Sequence, residues 1–170
     1  MARYVALLRA VNVGGTGKLP MSDLKAICEK AGFGKVRTYI ASGNVVFESK
    51  DDEARVKATL EAALAAYTGK PVGVHVRTAS ELAQVLANNP FPDAASNRTA
   101  VIFLDEPPMG DALERITGKN GEDVRLGQRE IYVHYGDGMA NSQLKIPDAK
   151  AGTARNINTV SKFAGMVAEV

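Results

Sequence analysis

Along residues 1–78, segments with the two-residue period of a strand alternate with segments that have the 3.6-residue period of a helix. The order of that alternation leaves few folds open. Tyr4 to Leu8 is an apolar, β-prone run flanked by Arg3 and Arg9, and it predicts a buried strand. Gly14-Gly15-Thr16-Gly17 then forces a loop, because three glycines so close together weaken any helix or strand. Pro20 suits a helix start, and Leu24, Ile27, Cys28 and Ala31 share one helical face that Gly32 terminates. Val36 to Ile40 and Val45 to Phe47 predict two short strands joined through the hairpin turn Ala41-Ser42-Gly43-Asn44. Ser49 to Asp52 has the spacing of a capping box, followed by a helix with Val56, Leu60, Ala63, Leu64 and Tyr67 on one side and Gly69 at its end. Val72, Val74 and Val76 alternate with Gly73, His75 and Arg77, the pattern of a half-buried strand. Thr78 to Glu81 forms a second capping box before a short helix carrying Leu82, Val85 and Leu86, which Asn89-Pro90-Phe91-Pro92 stops.

The resulting order, β-α-β-β-α-β, is the split βαβ or ferredoxin-like unit. The pattern then begins again. Thr99 to Leu104 predicts a strand, Met109 to Ile116 a helix, and Val124 to Leu126 and Ile131 to Tyr135 two strands around the turn Gly127-Gln128-Arg129. A short helix is expected near Asn141 to Ile146, and a final helix over Asn156 to Val167, with Thr153 as its cap. The fold class expected is therefore α+β: duplicated ferredoxin-like (split βαβ) halves, with antiparallel-rich sheets, helices on one face, and a second half that is incomplete for want of a last strand. The expected domains are 1–78 for the first half, 79–97 for a connecting helix and Pro-rich loop, and 98–170 for the second half. The residue pattern leaves open whether the sheets are separate or continuous.

Composition narrows the function classes. Of 170 residues, 45% are hydrophobic and 24% charged, ordinary globular values that argue against disorder. A net charge of +2 is too slight for binding nucleic acid through phosphates alone. Cys28 is the single cysteine, so neither an intrachain disulfide nor a cysteine-based zinc site is expected. The N-terminal apolar stretch is too short for a signal segment, and no apolar run reaches the ~20 residues of a membrane span. A cytoplasmic location and no membrane partner are the expectations.

Known chemical signatures mostly fail. The Gly14–Lys18 loop lacks the leading glycine and the trailing Ser or Thr of a P-loop, since Asn12 and Leu19 stand there. Pro20 breaks the dinucleotide fingerprint. The loop can still hold an anion on its backbone amides, or serve only as a turn. Ser42 would need a base to act as a nucleophile, and neither His75 nor His134 is placed to serve. Both histidines are expected as surface or half-buried polar residues, with no metal site and no cofactor. Cys28, on an apolar helix face, reads as a buried, inert thiol. Arg155, Asn156, Asn158 and Thr159 crowd the predicted start of the last helix, more polar groups than one cap requires. Tyr4, Tyr39, Phe47 and Tyr132 could form an aromatic face for RNA, though the RNA-recognition strand motif is absent.

Several segments taken together resemble a known family. They are Leu7-Leu8-Arg9-Ala10-Val11-Asn12-Val13-Gly14-Gly15, then Met21 and Leu24, Thr38 to Phe47 with Ser42-Gly43-Asn44, Asn89-Pro90-Phe91, and Thr153 to Val160. In order and over nearly the whole chain they are similar to the bacterial domain-of-unknown-function 1697 family. The resemblance implies a duplicated ferredoxin-like arrangement and supplies no established activity, substrate or cofactor. Its signature positions are matched by Arg9, Asn12, Gly14, Gly15, Ser42, Gly43, Asn44, Arg155, Asn156 and Thr159. At Ile157, where family members more often carry an aromatic ring, commonly Trp, this chain offers none.

These residues define the expected site. Arg9 and Arg155 would supply charge-assisted hydrogen bonds, and Asn12, Asn44 and Asn156 orientation. Gly14 and Gly15 would allow close approach to an anionic or nucleotide-like small molecule in a polar cleft between the halves. The competing expectations are a structural or protein-interaction role without a ligand, an enzyme of unidentified reaction, and RNA binding through a sheet face.

Overall fold

The computed structural model describes residues 1–9, 19–39, 43–92, 98–136 and 142–169. Among them are two four-stranded antiparallel sheets and four α-helices. The chain divides into two units, Met1–Leu82 with Phe163–Val170, and Ala83–Lys162.

In the first unit, β1 (Ala2–Leu8) lies between β3 (Asn44–Ser49) and β4 (Val74–Thr78), and β2 (Gly34–Tyr39) flanks β3, giving the order β2-β3-β1-β4. Tyr4 to Leu8 are buried at every position, so both faces of β1 are covered. Such a strand can satisfy its backbone only with a partner on each side, which fixes it at the centre. One face, carrying Tyr4, Ala6, Leu8, Val45, Phe47, Val74 and Val76, packs with α1 (Met21–Lys30) and α2 (Glu53–Thr68) through Leu24, Cys28, Val56, Leu60 and Leu64. Phe47 stacks on Phe33 with ring centroids 4.4 Å apart, and the Tyr4 ring, tilted by 34°, sits 6.0 Å from it.

Local chemistry sets the helix ends. At the end of α1, Gly32 adopts φ +93°, and the N–H groups of Gly32 and Phe33 donate to the carbonyls of Glu29 and Cys28. This is the Schellman arrangement, and it turns Phe33 into the core. Asp52, rather than Ser49, caps α2, its carboxylate accepting from the Arg55 N–H at 2.9 Å. The Ser49 hydroxyl instead accepts from the Asp51 N–H. The box at Thr78 is reciprocal as expected: Thr78 Oγ1 accepts from Glu81 N, and Glu81 Oε1 from Thr78 N. It opens α3 (Ala79–Ala87).

The second unit has β5 (Thr99–Phe103), β6 (Asp123–Leu126), β7 (Glu130–His134) and β8 (Thr153–Asn156), in the order β6-β7-β5-β8. The expectation that the second half lacks its last strand is therefore wrong. Its fourth strand is β8, where a helix cap had been expected at Thr153, and α4 (Ile157–Glu169) starts only after it. The strand was hidden because its inward residues are Thr153 and Arg155 while Ala154 is exposed, the reverse of the apolar-in pattern.

Two expected helices are absent as well. Between Gly110 and Gly118 the chain makes only a four-residue 3₁₀ turn, Ala112–Arg115, too short a span for a stable α-helix. Lys145, within the stretch expected to be helical near Ile146, pairs as a bridge with Thr117, and Pro147 follows. Of that stretch, Asn141 lies outside the described residues. Instead of α-helices, Ile116, Leu144, Ile146 and Ala149 cover the core of Ile102, Leu104, Val124, Ile131 and Val133.

The registers of the two sheets match. One row across the first sheet reads Arg37, Val46, Val5, Arg77. The corresponding row of the second reads Arg125, Tyr132, Val101, Arg155.

Phe47→Ala is expected to destabilise the protein by about 3–5 kcal/mol, measured by urea unfolding, because it empties the centre of the aromatic cluster. In the second unit Arg115 grips Asp148 through two bonds of 2.7 and 2.5 Å, and this holds the Asp148 carboxyl below its usual range. A lowered folded-state pKa stabilises above the ordinary carboxylate range and loses that contribution as pH falls through it. Asp148→Asn should therefore lower the melting temperature at pH 7, with a deficit that fades below about pH 4.

Candidate functional site

Of the residues singled out in the first half, Arg9, Gly43 and Asn44 are described, and they lie at one end of its sheet. Where β1 ends, the Leu8 N–H donates to the Gly43 carbonyl at 2.8 Å and the Arg9 N–H to the Gly73 carbonyl at 2.9 Å. These bonds draw the β2–β3 hairpin, the last residues of β1 and the entry to β4 into one rim. Gly43 has φ +82°, a left-handed turn position that glycine occupies without strain. Asn44 is fully buried (0% exposed), and its amide nitrogen donates to the Tyr39 carbonyl at 3.2 Å, closing the hairpin from inside. Arg9 is exposed. A side chain at Gly73 would meet the Cβ and Cδ of Arg9 at 3.5 and 3.7 Å, so the arginine stem lies along a surface that glycine leaves flat. Asn12, Gly14, Gly15 and Ser42 lie outside the described residues.

Arg155 and Asn156 are built differently. Arg155 is a residue of β8, only 8% exposed, and its guanidinium donates to Thr153 Oγ1 at 2.6 Å and to the Ala154 carbonyl at 2.9 Å. Burial pulls its pKa down to about 10, which still leaves it charged at neutral pH. Asn156 accepts from the Asn158 N–H at 2.8 Å and so caps α4. Thr159 is half-buried in the first turn of that helix. The polar crowd at the end of the chain is thus divided between a strand and a cap.

Buried polar residues were missed, His75 and Arg77 among them. His75, expected at the surface or half-buried, is 3% exposed, and Arg77 is 1% exposed with its guanidinium donating to the Val76 carbonyl. They share the face of β4 opposite Val74 and Val76. The available signal was the recurrence of an arginine, a capping residue and a helix: Arg77-Thr78 before α3 and Arg155-Asn156 before α4. His134 is half-buried, its ring 5.7 Å from that of Phe91.

Tyr4, Phe47 and Tyr132 are buried, and the Tyr132 hydroxyl donates to the Val85 carbonyl, so these rings present no exposed stacking face. Among the described residues no three His, Cys, Asp or Glu side chains gather as a metal site, and no helix is long and apolar enough to cross a membrane. Cys28 is a buried free thiol, its pKa pushed up to about 12 chiefly by burial and secondarily by Glu29. At pH 8 it should therefore resist a disulfide reagent such as 5,5′-dithiobis(2-nitrobenzoate) in the native protein and react within minutes once unfolded in guanidinium. Fast native labelling would contradict the burial.

The fold has a counterpart of solved structure. The conserved bacterial protein SP0830 from Streptococcus pneumoniae aligns over 98% of this chain and 98% of its own, with a TM-score of 0.80 and 26% sequence identity. No curated protein matches the sequence. A family model described as "Protein of unknown function (DUF1697)" matches residues 1–132. The chain belongs to the DUF1697 family of proteins of unknown function.

Proposed function

We propose that this protein is a small binding module for an anionic or nucleotide-like molecule, built on two duplicated ferredoxin-like (split βαβ) units, with Arg9 as its principal charged contact. The duplication is supported by the shared strand order and by the matched rows Arg37-Val46-Val5-Arg77 and Arg125-Tyr132-Val101-Arg155. Weak identity between the halves fits an old duplication whose register outlasted its letters. A cytoplasmic location accords with a lone cysteine kept as a buried thiol.

The observation that carries the binding reading is the rim at Arg9. An exposed arginine stands where three chain segments are pinned by backbone hydrogen bonds, its stem lying along half-buried Gly73. A guanidinium on a fixed backbone is suited to a carboxylate or phosphate, which it can grip through two parallel bonds. A structural role is the second reading, and it is favoured specifically for Arg155 and Asn156, whose side chains bond to their own strand and helix start.

The two readings separate in a thermal-shift assay against inorganic phosphate, pyrophosphate and adenosine monophosphate. Arg9→Ala should leave the ligand-free melting temperature nearly unchanged, as exposed substitutions cost within about 0.5 kcal/mol. It should also remove most of the ligand-induced rise. Arg155→Ala should lower the ligand-free melting temperature by several degrees. A full ligand-induced shift retained by Arg9→Ala would sink the binding reading.

A further inference from the structure

The matched registers give the central-strand and third-strand residues of the Arg9 rim counterparts in the second sheet. Val5 corresponds to Val101, because each pairs with the buried arginine of the fourth strand. Counting outward, Leu8 corresponds to Leu104 and Arg9 to Asp105. Along the third strands, where Val46 corresponds to Tyr132, Gly43 corresponds to Arg129 and Asn44 to Glu130. The backbone bears this out independently: the Leu104 N–H donates to the Arg129 carbonyl at 2.9 Å, as the Leu8 N–H does to Gly43 at 2.8 Å. The two sheet ends are built alike.

Their charges are not alike. The first end carries the exposed cation Arg9 over the neutral amide of Asn44. The second carries exposed Asp105 over buried Glu130. Half-buried Arg129 is bonded to the same loops: its backbone N–H donates to Glu130 Oε1 at 3.2 Å and its Nη1 to the Asp105 carbonyl at 3.4 Å. Where the first end has buried Gly43, the second has the half-buried side chain of Arg129. The two ends thus place opposite charges, Arg9 and Asp105, at equivalent exposed positions.

We infer that Asp105 is a specificity residue that makes the second sheet end refuse the anion, so that the chain takes one anionic ligand rather than two. This rests on the binding reading above. An anion approaching Asp105 meets a like charge at the position where Arg9 supplies an opposite one, and such a reversal near a surface changes affinity by about tenfold or more.

Isothermal titration with inorganic pyrophosphate at low salt tests it, with circular dichroism confirming that each variant is folded. The wild-type chain should saturate at one ligand, Arg9→Asp at none, Asp105→Arg at two, and the double swap at one. Asp105→Asn, which removes the charge at nearly constant size, should admit a weak second ligand. If the wild type saturates at one and Arg9→Asp abolishes binding while Asp105→Arg and Asp105→Asn both remain at one, the role given to Asp105 is overturned and the binding reading stands. Two ligands on the wild type overturn the inference as well. If the wild type binds no pyrophosphate, or Arg9→Asp binds as well as the wild type, both fall.

Discussion

Each sheet depends on a central strand that is buried on both faces. Tyr4 to Leu8 and Thr99 to Phe103 have no exposed position, so neither strand has a side on which water can satisfy its backbone. Each must hydrogen-bond on both edges, and in both sheets it does, to the third strand on one side and the fourth on the other. Once that is required, the hairpin and the returning strand have fixed places, and the ends of the outer strands arrive beside the end of the central one. The rims at Arg9 and Asp105 are consequences of this geometry.

The same constraint shapes the polar interior. A central strand covered on both faces leaves its neighbours with a second inward face, and polar residues there must be bonded within it. Arg77 and Arg155 each donate to the carbonyl of the preceding residue, and Arg155 also to Thr153. Asn44 donates to Tyr39. A buried guanidinium costs desolvation, seen in the lowered pKa of Arg155, and short local bonds offset part of it. That both sheets place an arginine at the same register position points to a requirement of the strand arrangement, since the residues around it differ.

The two units use different means to cover the remaining face. The first has helices α1 and α2, closed by the Schellman turn at Gly32 and capped by Asp52. The second covers its core with loop residues and short 3₁₀ turns, tied together by Arg115 and its two aspartates. Equivalent strands can therefore tolerate unequal coverings, because the strands are fixed by backbone pairing and the covering only by apolar contact.

The sequence by itself determined the strands with an apolar period, the two long helices and their stops, the burial of Cys28, and the family. Each of these is encoded locally, by spacing or by a residue with one conformational use. Only the tertiary structure decided that Thr153 to Asn156 is a strand, that His75 and Arg77 are interior, and that Arg155 bonds inside its own sheet. On β8 the polar side chains point inward, so the periodicity that distinguishes strand from helix is inverted and only pairing with β5 identifies the element. On β4 the strand is legible, but both of its faces are buried, so the polar face that reads as solvent-facing is interior. The meeting of Arg9, Gly43 and Gly73 at one rim was likewise invisible in the chain, because it rests on backbone hydrogen bonds between segments tens of residues apart.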